Sequence, residues 1–256
     1  MGEHYKMRKE ILLPALGIAA GEFMMFFGHI YIGLAIHIIN LQAVTLAIVF
    51  GAYSPDIKNV LQSLLLVLQM RIINLAMPQF FTISLLWYPL IYGVMFLPIY
   101  YIVKNQQMSE KDIGINFQKL HIYLPIALLI GASMALIENY ILHPSAMIEN
   151  INLSNIILIT TIMFVFVGAV EELIFRSILQ TRSEKVFGSN YGILFSGILF
   201  GVMHSGYGLV SEIIFAGLFG IVLGYIFQKT RSFPFILTIH GFANVLLFGI
   251  LPIIKG

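Results

Sequence analysis

Three short stretches put chemically useful side chains inside apolar sequence: VGAVEELIFR (167–176), FGVMH (Phe200–His204) and HGFAN (His240–Asn244). The first carries adjacent carboxylates, Glu171 and Glu172, with Arg176 four residues beyond the second. Residues four apart share a helix face, so Glu172 and Arg176 are predicted neighbours, while Glu171 points about 100° away from Glu172. His240 and Asn244 also share a face, about 6 Å apart along the axis. A carboxylate paired to an imidazole can take a proton from water as a general base. An imidazole and an amide on one face can donate hydrogen bonds to a developing oxyanion. The chemistry on offer is hydrolysis with water as nucleophile, because no serine stands in a nucleophile elbow and the chain has no cysteine. Zinc held by Glu and His ligands is a second option, although the HExxH pattern is missing.

These residues must be positioned by membrane helices. The chain has 256 residues, 59% hydrophobic and 10% charged, against about 25% charged in a soluble domain; its mean hydropathy is +0.93. The solvent for most of it is lipid. A net charge of +2 with scattered basic residues gives no nucleic-acid footprint. Without cysteine there are no disulfides and no thiolate metal sites. A span needs about 20 mostly apolar residues. The run 11–53 is long enough for two spans, with a break near Tyr31–Gly33, and it is too long for a signal-peptide core of about 7–15 residues, so it reads as retained. Further candidates are 60–77, the weakest because it carries Gln62, Gln69, Arg71 and Asn74, then 80–103, 120–137, 153–180, 191–203, 209–228 and 233–254. The expected fold class is thus an all-α polytopic membrane bundle of about 8–9 transmembrane helices, forming one domain over 1–256.

Charge placement orients the map. With the N-terminus inside, cytoplasmic segments hold Lys6, Arg8, Lys9, Lys58, Lys104, Lys111, Lys119, Arg182, Lys185, Lys229 and Arg231, and external segments hold only Lys255. This positive-inside bias predicts a multi-pass integral membrane protein with a cytoplasmic N-terminus, in the cell membrane if the source is prokaryotic. Along helices rising about 1.5 Å per residue, Glu171, His204 and His240 fall roughly 15, 20 and 12 Å deep, near one level.

Ionisable residues at such depth cost about 2.5–3.5 kcal/mol each on insertion scales and are functional candidates by default. The set is Glu22, His29, His37, Arg71, Glu171, Glu172, Arg176, His204 and His240. Each also has a structural reading. Glu171, Glu172 and Arg176 could be an ion-paired helix end, and Glu22 with Arg71 is expected to be a structural ion pair. His29 and His37 are assigned to packing or wetted cavity walls. Glu138 and Glu212, near span ends, are expected to be wetted. The glycines of GILFSGILFG (192–201) and GLFGIVLG (217–224) suit close helix packing.

Taken together, EELIFR, FGVMH and HGFAN resemble the CPBP family of intramembrane proteases, which includes the type II CAAX prenyl endopeptidases and the Abi proteins. That family shows EExxxR, FxxxH and HxxxN in this order on successive core helices, and this sequence matches every defining position. The resemblance covers roughly 153–251. It implies a catalytic core in the C-terminal four helices, residues 152–254, with 1–138 as N-terminal accessory helices. Glu171 would be the general base, assisted by His204. His240 and Asn244 would form the oxyanion hole, and Glu172 and Arg176 would orient and support the first carboxylate. The metal-free account is expected, with no cofactor; if zinc were used, Glu172, His204 and His240 would be its ligands. The implied substrate is a membrane-associated peptide or prenylated protein reached from the lipid bilayer. An ion or proton transporter and a non-catalytic membrane scaffold or immunity protein are the alternatives.

Overall fold

The computed structural model describes residues 8–76 and 85–255. The start of the span expected at 80–103, and Lys6 in the N-terminal segment, lie outside the described residues. Among the described residues every regular element is helical. The order is α1 Lys9–Phe26, α2 Ile30–Phe50, α3 Pro55–Ala76, α4 Trp87–Asn105, the short α5 Glu110–Ile113, α6 Leu120–Leu142, α7 Leu153–Phe187, α8 Ser189–Val202, α9 Val210–Thr230 and α10 Phe233–Lys255. Five of these, α2, α6, α7, α9 and α10, are long and apolar enough to cross a membrane. Outward-facing apolar side chains such as Ile39 on α2 and Leu129 on α6 are 64% and 70% exposed, a surface that suits lipid rather than water.

The first break comes slightly before the expected place. The chain turns at Phe27–His29, where Gly28 adopts φ +84, a left-handed conformation that costs glycine little. Helix α3 looked weak as a span because it is polar by membrane standards, and the fold gives the reason. Its apolar side is enclosed by protein, with Leu61, Leu64, Leu66 and Leu68 fully buried. Gln62 finds protein partners: Gln106 Nε2 donates to Gln62 Oε1 at 3.0 Å, and Gln62 Nε2 donates to Asn105 Oδ1 at 3.1 Å.

Helix α7 is the axis of the site. It runs 35 residues and passes twice into π-helical turns, at Ile162–Gly168 and Leu173–Gln180, on either side of the two carboxylates. Such turns displace one residue from the α-helical ladder and are common at functional sites. Helices α8 and α9 cross closely because a Cβ on Gly201 would come within 2.6 Å of the Ile213 carbonyl and 2.7 Å of Gly217 Cα, as the glycine pattern predicts. On the other side α10 lies along α6, and α4 runs beside α7.

Candidate active site

Glu171 and Glu172 diverge as the helix geometry predicts, yet one residue joins them. His240, on α10, faces both carboxylates. Its Nδ1 donates to Glu172 Oε1 at 2.6 Å, and its Nε2 lies 3.7 Å from Glu171 Oε2. The same Glu172 oxygen accepts from Arg176 Nη1 at 3.0 Å, across the expected i,i+4 spacing. Glu172 and Arg176 are both 0% exposed. The guanidinium lies over the Phe200 ring, 4.2 Å from its centroid, a cation–π contact that helps hold a charge away from water. Sequence analysis gave Glu172 and Arg176 the task of supporting Glu171; in the structure Glu172 is bonded directly to the His240 ring, and Arg176 to Glu172.

Tyr92 on α4 is the residue that grips Glu171. Its hydroxyl donates to Glu171 Oε1 at 2.8 Å, from a side chain that is itself buried. Asn74 on α3 is in turn within hydrogen-bonding reach of Tyr92. With Oε1 engaged, Oε2 is the oxygen left for water. Sequence reasoning missed Tyr92 because a tyrosine in WYPLIYGVMF (87–96) is ordinary for a membrane helix; no local signal marks it.

His204 lies just past the end of α8, in the turn leading to α9. Its Nδ1 stands 2.8 Å from the Phe200 carbonyl. A carbonyl only accepts, so Nδ1 carries the proton, and Nε2 of the neutral ring is free to accept one. The motif spacing FxxxH is therefore what lets the phenylalanine backbone set the histidine tautomer. The Phe200 side chain meets both rings, with centroid separations of 4.7 Å to His204 and 5.9 Å to His240. Asn244, one turn after His240, is buried on the same side. Glu171, His204, His240 and Asn244 line one cavity of about 200 Å³, whose wall also includes Tyr92, Arg71 and Glu138. That is room for several waters.

Among the described residues, no three His, Asp or Glu side chains converge as a metal-holding group. Of the residues named for zinc, Glu172 Oε1 is bonded to Arg176 and His240 and His204 Nδ1 to a carbonyl, while Glu172 Oε2 has no hydrogen-bond partner.

The other intramembrane residues sort clearly. Glu22 and Arg71 form the expected ion pair, bidentate and buried, and His37 Nε2 lies 3.1 Å from Glu22 Oε1. Ser205 also donates to Glu22, and Arg71 Nη2 donates to the Met203 carbonyl at 2.9 Å. This network pins the turn after His204 to α1 and α3. His37 is thus a packing residue at 0% exposure, while His29 is exposed. The two carboxyls expected to be wetted differ: Glu212 is 0% exposed, while Glu138, 7% exposed, stands on the wall of the cavity. Helices α6 and α9 pack together there, so each covers the other's carboxylate.

No curated protein and no solved structure matches the chain. Residues 153–246 match the family model described as type II CAAX prenyl endopeptidase Rce1-like. EELIFR, FGVMH and HGFAN all lie inside that interval, and Glu171, His204, His240 and Asn244 from them line one cavity; over this stretch the chain is similar to the CPBP/CAAX protease family.

Proposed function

We propose that the protein is a metal-free intramembrane endopeptidase that cleaves membrane-associated peptides, prenylated CAAX-type proteins among them. The observation that carries this reading is the shared cavity. It brings together a carboxylate with one oxygen held by Tyr92, an imidazole whose free nitrogen accepts, and a second imidazole and amide on one helix face. In the proposed reaction, Glu171 Oε2 takes a proton from water while His204 Nε2 orients that water. The hydroxide adds to the scissile carbonyl, whose oxygen becomes an oxyanion. Asn244 Nδ2 donates to it, as does His240 Nε2 when the ring carries both protons. Glu171 then returns its proton to the departing amine, and the C–N bond breaks. Glu172 and Arg176 fix the His240 ring, as an outer carboxylate commonly does for a working histidine.

In this reading 152–254 is the catalytic core and 1–138 provides accessory helices, with α4 reaching in to hold the base. The chain crosses the membrane about 8–9 times with its N-terminus in the cytoplasm, and water reaches the cavity from that side.

The test is cleavage of a fluorogenic farnesylated CAAX peptide by detergent-purified protein, wild type beside Glu171→Ala, with and without a zinc chelator. Cleavage that survives the chelator and vanishes in the variant is the expected outcome. Loss with chelator would overturn the metal-free mechanism. A fully active Glu171→Ala would overturn the assignment of the base. Absence of cleavage by wild type, on this peptide and on non-prenylated membrane peptides, would return the cavity to the transporter and scaffold readings.

A further inference from the structure

Arg71 on α3 is half of the Glu22 ion pair, but that pair uses only part of its guanidinium. Nε and Nη2 take the two oxygens of Glu22. Nη2 also donates to the Met203 carbonyl at 2.9 Å and to the Ser205 hydroxyl at 3.3 Å. Nη1, which carries two N–H donors, makes no hydrogen bond with any described residue. Arg71 is 9% exposed and stands on the wall of the catalytic cavity. A donor on a charged group held this far from bulk water and given no acceptor is costly, so it calls for a partner from outside.

Two features say where that partner would sit. The bonds to Met203 and Ser205 fall on the residues either side of His204, so Nη1 is held at a fixed offset from an imidazole that lines the same cavity. Beside Nη1 is Gly206, which is exposed; a Cβ built there would meet, among the described residues, only Nη1, at 3.8 Å. The approach to Nη1 past Gly206 is therefore open, where a larger side chain would stand across it. The chemistry of the partner follows from charge. Glu22 already neutralises the guanidinium, and Glu138 and Glu171 are on the same wall. A further anion would meet those two carboxyls, whereas a neutral oxygen would not. The neutral oxygen that a peptide carries at every residue is its backbone carbonyl.

Resting on the endopeptidase reading, we propose that Arg71 Nη1 is a substrate-binding donor, which receives one backbone carbonyl of the peptide near the scissile bond and so sets its register against His204 and Glu171. The pair with Glu22 then keeps this donor aimed, besides tying helices together. The hydrogen bond is made in the bound substrate and kept in the transition state, so it acts on KM and leaves kcat alone.

The experiment uses the full-length protein in detergent with an internally quenched farnesylated CAAX peptide. Analogues each carry a thiocarbonyl, a poor hydrogen-bond acceptor, in place of one backbone carbonyl outside the scissile bond. Cleavage is read as KM and kcat. Binding is read separately as the shift in melting temperature of Glu171→Gln protein, which holds peptide without turnover. Two variants probe the donor from different sides. Arg71→Lys keeps a charge for Glu22 and loses the fork that leaves Nη1 over. Gly206→Val leaves the ion pair intact and puts a side chain across Nη1; Gly206 does not use the left-handed region, so valine suits its backbone and this variant carries the test if Arg71→Lys fails to fold. With wild type, thiocarbonyl at one position is expected to raise KM about tenfold at unchanged kcat, the scale of one hydrogen bond to a charged group. Both variants are expected to show the raised KM with the parent peptide and no further response to thiocarbonyl at that position. A wild-type KM unmoved by thiocarbonyl at every position overturns the proposal, as does a sensitive position that stays equally sensitive in Gly206→Val. A preference for the free C-terminal carboxylate over its carboxamide that both variants lose overturns the neutral acceptor, since Nη1 would then hold an anion. Cleavage indifferent to both substitutions sinks the donor and leaves the protease. Binding that is sensitive to thiocarbonyl and to Gly206→Val, with no cleavage by wild type, keeps the donor and sinks the protease.

Discussion

The molecule contains two glutamate–arginine–histidine constellations built from the same residue types. One is Glu22 with Arg71 and His37; the other is Glu172 with Arg176 and His240, alongside Glu171. In the first, Arg71 takes both oxygens of Glu22, Ser205 donates to one of them, and His37 closes the other side. No oxygen is left over, and the cluster ties α1 and α3 to the turn after α8. In the second, the pairing is divided between two carboxylates. Glu172 carries the arginine and the histidine, and Glu171, held at one oxygen by Tyr92, keeps the other toward the cavity. Ionisable residues in lipid thus split by what stays unsatisfied: a saturated carboxylate is a fastener, and a carboxylate with a free oxygen on a cavity is equipped to react.

That contrast can be broken by substitution. The largest effect should come from Glu171→Gln, which keeps the shape and removes the base. Turnover is expected to fall by about 10²–10⁴, the contribution of a positioned general base, with the melting temperature retained. Near-normal turnover would erase the distinction between the clusters. Next is Asn244→Ala, expected to cost about 10²–10³ in kcat as an oxyanion donor, measured with KM to separate it from weaker binding. Tyr92→Phe deletes one hydrogen bond to a charged group, worth about 1.5–3 kcal/mol. It should lower kcat by about ten- to a hundredfold and leave KM alone; an unchanged kcat would mean that Glu171 does not need its second oxygen held. The smallest effect on cleavage belongs to Glu22→Gln. This strands the Arg71 guanidinium and should cost about 3–5 kcal/mol of stability, seen as a lower melting temperature, while kcat per folded molecule stays the same. A large loss of kcat there would show that the fastener also works in the reaction.

Much of the site was legible along the chain because its features are local. The four-residue spacing from Glu172 to Arg176 and from His240 to Asn244 follows from helix periodicity alone. So does the divergence of Glu171 from Glu172, and the glycine runs announced the α8–α9 crossing. The Glu22–Arg71 pair was legible for another reason, since two opposite charges in lipid have few options but each other. Tyr92, the burial of Glu138 and Glu212, and the way His240 spans two carboxylates were not legible. Tyr92 acts on a residue 79 positions away, and nothing in its neighbourhood distinguishes it from a lipid-facing tyrosine. Glu138 and Glu212 sit near helix ends, where one chain segment taken singly meets water; only the packing of α6 on α9 closes them in.

By itself, then, the sequence determined an apolar helical chain, the three motifs and which of their side chains share a face, because these depend on composition and on a rise and turn per residue that every α-helix shares. The tertiary structure decided which oxygen of Glu171 is free, which nitrogen of His204 carries its proton, and that Glu138 stands on the cavity wall. Those are outcomes of contacts between helices distant in sequence, and hydrogen-bond satisfaction in a low-dielectric interior is settled only when every neighbour is in place.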